Sequence, residues 1–275
     1  MRSKSFLHQQ QRDWALGSGR QHDVRDYLSS FELNLLQPLS QSALSSFTRG
    51  SGSELVPSGS RPAKMAALHS SSALAVNAFD YWSGKPLSHV ASALGIPQTP
   101  ASFRFETQFP TGLGGIPPNL DVAFFYDDHV IGLESKFTEW LTAKTRKQPF
   151  RVSYFPDGAP LWTRAGLSGA QRLADAMQRQ ERFFQHLDAA QLLKHMLGLA
   201  TCNPGRSSLY YLYFDCPGPE ASVHRTEVQE FFDSVRNDMP FYSMTYQQFF
   251  KRLTSELGHD HRSYVDYMAS RYFSR

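Results

Sequence analysis

The hydrophobic pattern of this 275-residue chain predicts an α/β protein, with a central mixed sheet of about five strands flanked by helices. Three observations carry that expectation. Residues 102–109 alternate as a strand, and residues 122–126 and 129–133 flank Asp127-Asp128 as the arms of a hairpin. Leu209-Tyr-Tyr-Leu-Tyr-Phe214 is an almost unbroken apolar run, as expected of a strand buried on both faces. Helical spacing precedes the first of these strands and recurs between and after the later ones.

In chain order, residues 1–20 are rich in Gln, Ser, Gly and Arg and are expected to be loosely attached. Residues 23–36 carry Val24, Tyr27, Leu28, Phe31 and Leu35 at helical spacing, ended by Pro38. Residues 40–63 read as a loop, with Gly50-Ser-Gly-Ser-Glu-Leu55 at its centre. The domain reading is therefore an extension over 1–53 and a main domain over 54–275. Residues 70–82 form a capped helix with an apolar stripe, and a shorter helix at 87–94 is closed by Gly95 and Pro97. The strand at 102–109 puts Phe103, Phe105, Thr107 and Phe109 on one face and Arg104, Glu106 and Gln108 on the other. After the hairpin come an irregular stretch at 140–166, helices at 168–187 and 189–199, a strand at 208–214, a helix at 222–235, a strand at 241–246, and helices at 247–257 and 261–273.

The hairpin gathers charge. Asp121 and Glu134 lie equally far from its turn, so they stand directly opposite each other and share a face. Lys136 follows two residues later on that face, while Ile131, Leu133 and Ser135 point the other way. Two opposed carboxylates repel, which calls for a cation between them. Mg²⁺ suits oxygen donors and keeps several waters, with Mn²⁺ as a substitute. The lysine beside it would orient or deprotonate a water, or stabilise developing negative charge. The chemistry this implies is metal-assisted hydrolysis of a phosphodiester. Glu106, on the adjacent strand across from Asp121, is a further acidic candidate.

Asn119-Leu-Asp121, twelve residues, then Glu134-Ser-Lys136, within this order of elements, resembles the PD-(D/E)XK nuclease superfamily over roughly residues 54–250. Leu120 stands where the superfamily usually has Pro, although Pro117-Pro118 lies close by. The chain is also similar to bacterial members whose first helix reads like Ser71-Ser-Ala-Leu-Ala-Val-Asn77. The resemblance implies a restriction-endonuclease-like fold and Mg²⁺-dependent cleavage of nucleic acid, usually DNA, in restriction, repair or recombination. It implies metal ligation by Asp121, Glu134 and the Ser135 carbonyl. It also implies a supporting acid, for which Glu54 competes with Glu106, and a polar residue from the helix after the third strand, here Gln191.

Lys144, Arg146, Lys147 and Arg151, interleaved with aromatics, read as a phosphate-tracking segment; an ordinary solvated loop would look the same. Net charge is +3 with a pI near 8.8, compatible with a nucleic-acid partner. Asn77 reads as a backbone bridge, and His259-Asp-His261 lacks a third ligand in register. The two cysteines have no metal or disulfide spacing, and neither an h-region nor a long apolar run occurs, which points to the cytoplasm. No Gly-x-Ser-x-Gly and no strand-to-helix Gly-x-Gly-x-x-Gly occurs, against serine-hydrolase and dinucleotide chemistry. Two rival classes remain: a catalytically inactive nucleic-acid-binding or scaffolding protein on this fold, and a different α/β enzyme in which the hairpin charges coincide. Double-strand cutting by a single-site domain would favour a homodimer.

Overall fold

The computed structural model describes residues 3–50, 53–156 and 160–273; Ser51 and Gly52, from the expected loop, lie outside them. One sheet organises the chain, with strands in the order β1 (Ser102–Gln108), β2 (Asn119–Phe125), β3 (Val130–Lys136), β4 (Ser207–Tyr213) and β5 (Phe241–Thr245). The first three form an antiparallel meander, while β3, β4 and β5 run parallel, so the sheet is mixed and open. A helical segment precedes the sheet: α1 (Ser3–Gly17), α2 (Gln41–Arg49), α3 (Ser71–Phe79) and α4 (Ser88–Leu94). Between and after the later strands come α5 (Leu161–Arg164), α6 (Ser168–Gln178), α7 (Ala189–Cys202), α8 (Pro219–Val235), α9 (Tyr246–Glu256) and α10 (Arg262–Met268).

Alternation along the strands builds two cores. On one face Val122, Phe124, Ile131, Leu133, Tyr210, Leu212 and Met244 pack with residues of α3, α4 and α9. On the other, Ala123, Val130, Leu209, Tyr211 and Phe241 pack with residues of α6, α7 and α8. β3 is buried along its length except for Lys136. Gly132 is small because a Cβ there would come within 2.6 Å of Leu120 Cδ1 and 3.0 Å of Leu199 Cδ1, where α7 crosses the hairpin.

Several local expectations are corrected. Residues 3–17 are helical and attached: Leu7 and Ala15 are fully buried, and Gln11 donates to the Arg271 carbonyl at 3.0 Å. Residues 23–36 are not a helix. The Asp23 carboxylate takes the N–H groups of Arg25 and Tyr27, an alternative to helical bonding that short acidic side chains offer. Val24 is consequently wholly exposed. Residues 41–49, expected as loop, form α2, capped by Ser40 and anchored by Ala43 and Phe47. The helix expected over 168–187 stops at Gln178 because Glu227 on α8 accepts the N–H groups of Gln185, His186 and Leu187.

The expected single face of β1 also fails. Glu106 adopts φ 48°, in the left-handed region. Phe103 and Phe105 accordingly meet the α3 side, whereas Phe109 belongs to the α7 side.

Candidate active site

The hairpin register is the expected one. Val122 pairs with Leu133, Phe124 with Ile131 and Phe125 with Val130, and the Tyr126 N–H donates to the His129 carbonyl at 3.0 Å. Extending that register sets Asp121 opposite Glu134, but the ladder stops one step earlier. Antiparallel bonds come in alternating pairs, so Ser135 N–H should next meet Leu120. It donates instead to Asp121 Oδ2 at 2.7 Å. The β1–β2 ladder is interrupted at the same level: pairing skips Glu106 and Asp121 and resumes at Thr107 with Leu120. An acidic residue therefore occupies the point where the meander opens.

Glu134 and Lys136 face α7 and α8, like their parallel partners Tyr211 and Tyr213. Lys136 Nζ lies 2.5 Å from Glu134 Oε1. Glu134 Oε2 lies 3.0 Å from His195 Nε2 on α7, without the alignment of a hydrogen bond, and neither atom has another hydrogen-bond partner. Glu134 is 1% exposed, so this carboxylate is committed to its neighbours. Burial opposes its charge, yet Lys136 and His195 outweigh burial and hold it below the ordinary range. Asp121 is half-buried and pushed the other way, well up, by burial and then by the charge of Glu134. Burial works against the Lys136 charge, but Glu134 and Asp121 more than offset it and raise the ammonium. Ser135 presents its backbone N–H to Asp121, and its hydroxyl meets Tyr246 Oη at 2.6 Å on the far face.

Of the two competing acids, Glu106 is the one whose charge acts on Asp121. Its Oε2 accepts from Asn119 Nδ2 at 2.5 Å, and burial, with the charges of Glu54 and Glu134, lifts it to about 7. Glu54 is engaged elsewhere, accepting from Lys64 Nζ at 3.4 Å and from Ser72 Oγ at 3.1 Å, in the first turn of α3. A negative charge at a helix N-terminus is favoured by the helix dipole. Asn77 bridges backbone, accepting the Leu36 N–H at 2.7 Å and donating to the Asn34 carbonyl at 3.0 Å.

Gln191 does not meet these carboxylates in a hydrogen bond. It lines a cleft of about 640 Å³ between residues 143–149 and α6–α7, together with Pro118, Lys144, Lys147, Arg182 and Lys194. Of the expected cationic segment, Lys144 pairs with Asp188 at 2.9 Å and Arg146 donates to the Gln180 carbonyl at 2.7 Å, while Lys147 and Arg151 are exposed. The cleft adjoins the site through Asp188, whose carboxylate burial pushes up but Lys144, the Gln191 N–H and, least, Lys136 bring down.

His195 was not anticipated. The available signal was spacing: it follows Gln191 by four residues, one turn along a largely apolar helix. A lone histidine in such a run ordinarily reads as core.

The donor set can be tested against a hard cation. Two carboxylates share the opening: Glu134, held between Lys136 and His195, and Asp121, raised by burial and then by the charge of Glu134. That chemistry fits a divalent ion that takes oxygen ligands and completes its shell with water. Among the described residues, the groups of three donors within 4.8 Å of one another do not include Asp121 or Glu134, so the protein's share of such a shell is partial.

An open mixed sheet, entered by an antiparallel meander that splits around an acidic and lysine-bearing strand end, defines a restriction-endonuclease-like protein. The family model described as "Restriction Endonuclease associating with ARP" matches residues 9–273, and the chain belongs to that family. Comparison with curated proteins and with solved structures found no match.

Proposed function

We propose that the protein is a metal-dependent nuclease of the PD-(D/E)XK type, hydrolysing phosphodiester bonds, with DNA as the first substrate to test. The observation that carries this reading is the break at the β2–β3 opening, where Asp121 replaces a ladder acceptor beside a Glu134–Lys136 pair. A sheet that sacrifices backbone pairing to hold an acid at its open end, in a chain of a restriction-endonuclease family, supports catalysis over a solvated surface.

In this reading Asp121 and Glu134 hold Mg²⁺ or Mn²⁺, with the Ser135 carbonyl as a further ligand. The bound ion supplies Lewis-acid stabilisation of the phosphoryl oxygens. Lys136, held charged by Glu134, acts as a cation: its N–H groups orient the attacking water and offset charge developing on the phosphate. That assignment favours orientation over proton abstraction for the lysine. Asn119 fixes Glu106 beside the opening, which makes Glu106 the better supporting acid than Glu54. The cleft edged by Lys144 and Lys147 takes the adjoining sugar-phosphate backbone, with Arg146 and Arg151 outside it.

The test is a cleavage panel of linear, circular, branched and single-stranded DNA, plus RNA, with and without Mg²⁺. The reading expects cutting of at least one substrate that chelator abolishes. Binding without cutting of any substrate, together with no Mg²⁺ binding at millimolar concentration, would select the inactive binding protein instead.

A further inference from the structure

A second group of ligand-capable side chains lies where α1 meets the segment that leads into α3. His8 on α1, Asp26 in the turn that follows it, and His69 beside the α3 cap bring donor atoms within 4.8 Å of one another. Among the described residues no other group of three does so.

The hydrogen bonds assign their roles. The Asp26 carboxylate is gripped by Arg12, Nε to Oδ1 at 2.7 Å and Nη2 to Oδ2 at 2.9 Å. Oδ2 also meets His8 Nδ1 at 3.1 Å, and His22 Nδ1 stands 3.8 Å from Oδ1. A carboxylate can only accept, so His8 carries a proton on Nδ1, and in the neutral ring the lone pair is on Nε2. That Nε2 is buried with no hydrogen-bond partner, and so is Nδ1 of His69. The two rings stack with centroids 4.4 Å apart. Asp26 is held in this arrangement at φ 66°, a conformation that non-glycine residues seldom adopt. Buried nitrogens without partners are costly unless something binds them.

We propose that His8 Nε2 and His69 Nδ1 form a site for a borderline first-row divalent cation such as Zn²⁺, with Asp26 orienting His8 from behind and water completing the coordination. A ligating histidine ordinarily gives its other ring N–H to a carboxylate, which is the relation of His8 to Asp26. Imidazole donors select zinc-like ions over Mg²⁺, so this site is chemically separate from the carboxylate opening of β2 and β3. The ligands come from segments far apart in sequence. The ion therefore ties α1 to the segment entering α3, whose Ser72 holds Glu54.

The experiment titrates Zn²⁺ into tag-free, chelator-treated full-length protein, followed by calorimetry, by thermal melting and by histidine ¹⁵N–¹H correlation spectra. Saturable binding at one equivalent, a raised melting temperature, and movement of the His8 Nε2 and His69 Nδ1 resonances are expected. His69→Ala abolishes the binding, and Asp26→Asn weakens it by about 10–100-fold. The spectra of the unaltered protein decide the matter even where a variant fails to fold. Saturation with neither of those two nitrogens shifted, or no saturable binding at all, overturns the proposal.

Discussion

Glu134 Oε2 and His195 Nε2 lie 3.0 Å apart in the buried layer between β3 and α7, and neither has a hydrogen-bond partner elsewhere. The other oxygen of Glu134 belongs to Lys136. Glu134 is thus gripped from the strand on one side and from the helix on the other. His195 acts on chemistry only through Glu134, as a positioning residue. His195→Ala should raise the Mg²⁺ concentration needed for half-maximal cleavage by about 10–100-fold, the range seen when groups behind a metal ligand are removed. An unchanged Mg²⁺ requirement, with lower thermal stability alone, would reduce His195 to packing.

The two candidate supporting acids should separate in a paired comparison. Glu106 feels the charges of Glu54 and Glu134 and is fixed by Asn119, whereas Glu54 accepts from Lys64 and Ser72. Glu106→Gln should therefore slow cleavage at saturating Mg²⁺ more than Glu54→Gln does. Steady-state rates for both variants check this, and the reverse order would move the supporting acid to the loop before α3.

Gly198 fixes the distance between α7 and the sheet. A Cβ there would come within 2.3 Å of the Phe109 carbonyl oxygen and 3.1 Å of Phe109 Cβ. Backbone yields less readily than a side-chain tip, so Gly198→Ala should cost about 1–3 kcal/mol of stability, measured by urea unfolding. His195 lies on the same helix, and cleavage should fall with it. Wild-type stability would show that α7 can shift without penalty.

His224 on α8 gives the protein an acid-sensitive element next to the site, against Tyr211, the ladder partner of Glu134. It is fully buried, stacked on Trp140 with centroids 4.4 Å apart, and 2.9 Å from Tyr211 Oη. Burial, then His186, lowers it to about 3, from an ordinary 6.5. Between those values the unfolded chain binds the extra proton and the folded chain does not. The stability contributed by neutral His224 is thus complete above pH 6.5 and is lost as pH falls toward 3, at up to about 1.4 kcal/mol per pH unit. In His224→Gln the difference from wild type should shrink between pH 7 and pH 5. A difference independent of pH would contradict it.

The hairpin was legible in the sequence because strand register is set by a period of two and a short turn, and both can be counted from residue identities. The buried strand β4 declared itself through its unbroken apolar run. The N-terminal helix did not, because it docks through a handful of buried positions, two of them polar: Gln11, bonded to the Arg271 carbonyl, and Ser3, bonded to the Pro217 carbonyl. Residues 23–36 carried a helical spacing that local bonds from Asp23 override. The left-handed turn at Glu106 leaves no trace in a strand-like alternation, yet it helps open the meander at Asp121. His195 was hidden for a related reason: its partner lies 61 residues away on another element, and only packing brings them together.

The central claim is that Asp121, Glu134 and Lys136 form a phosphodiester-hydrolysing centre. Lys136→Met removes the ammonium while keeping most of the aliphatic stem against its buried surroundings, and melting curves would establish that the variant is folded. The direct measurement is the Mg²⁺-dependent cleavage rate of this variant beside wild type on the best substrate of the panel. The account predicts loss of cleavage by about 100-fold or more, with the substrate still bound. Cleavage at the wild-type rate by a folded Lys136→Met protein would contradict it.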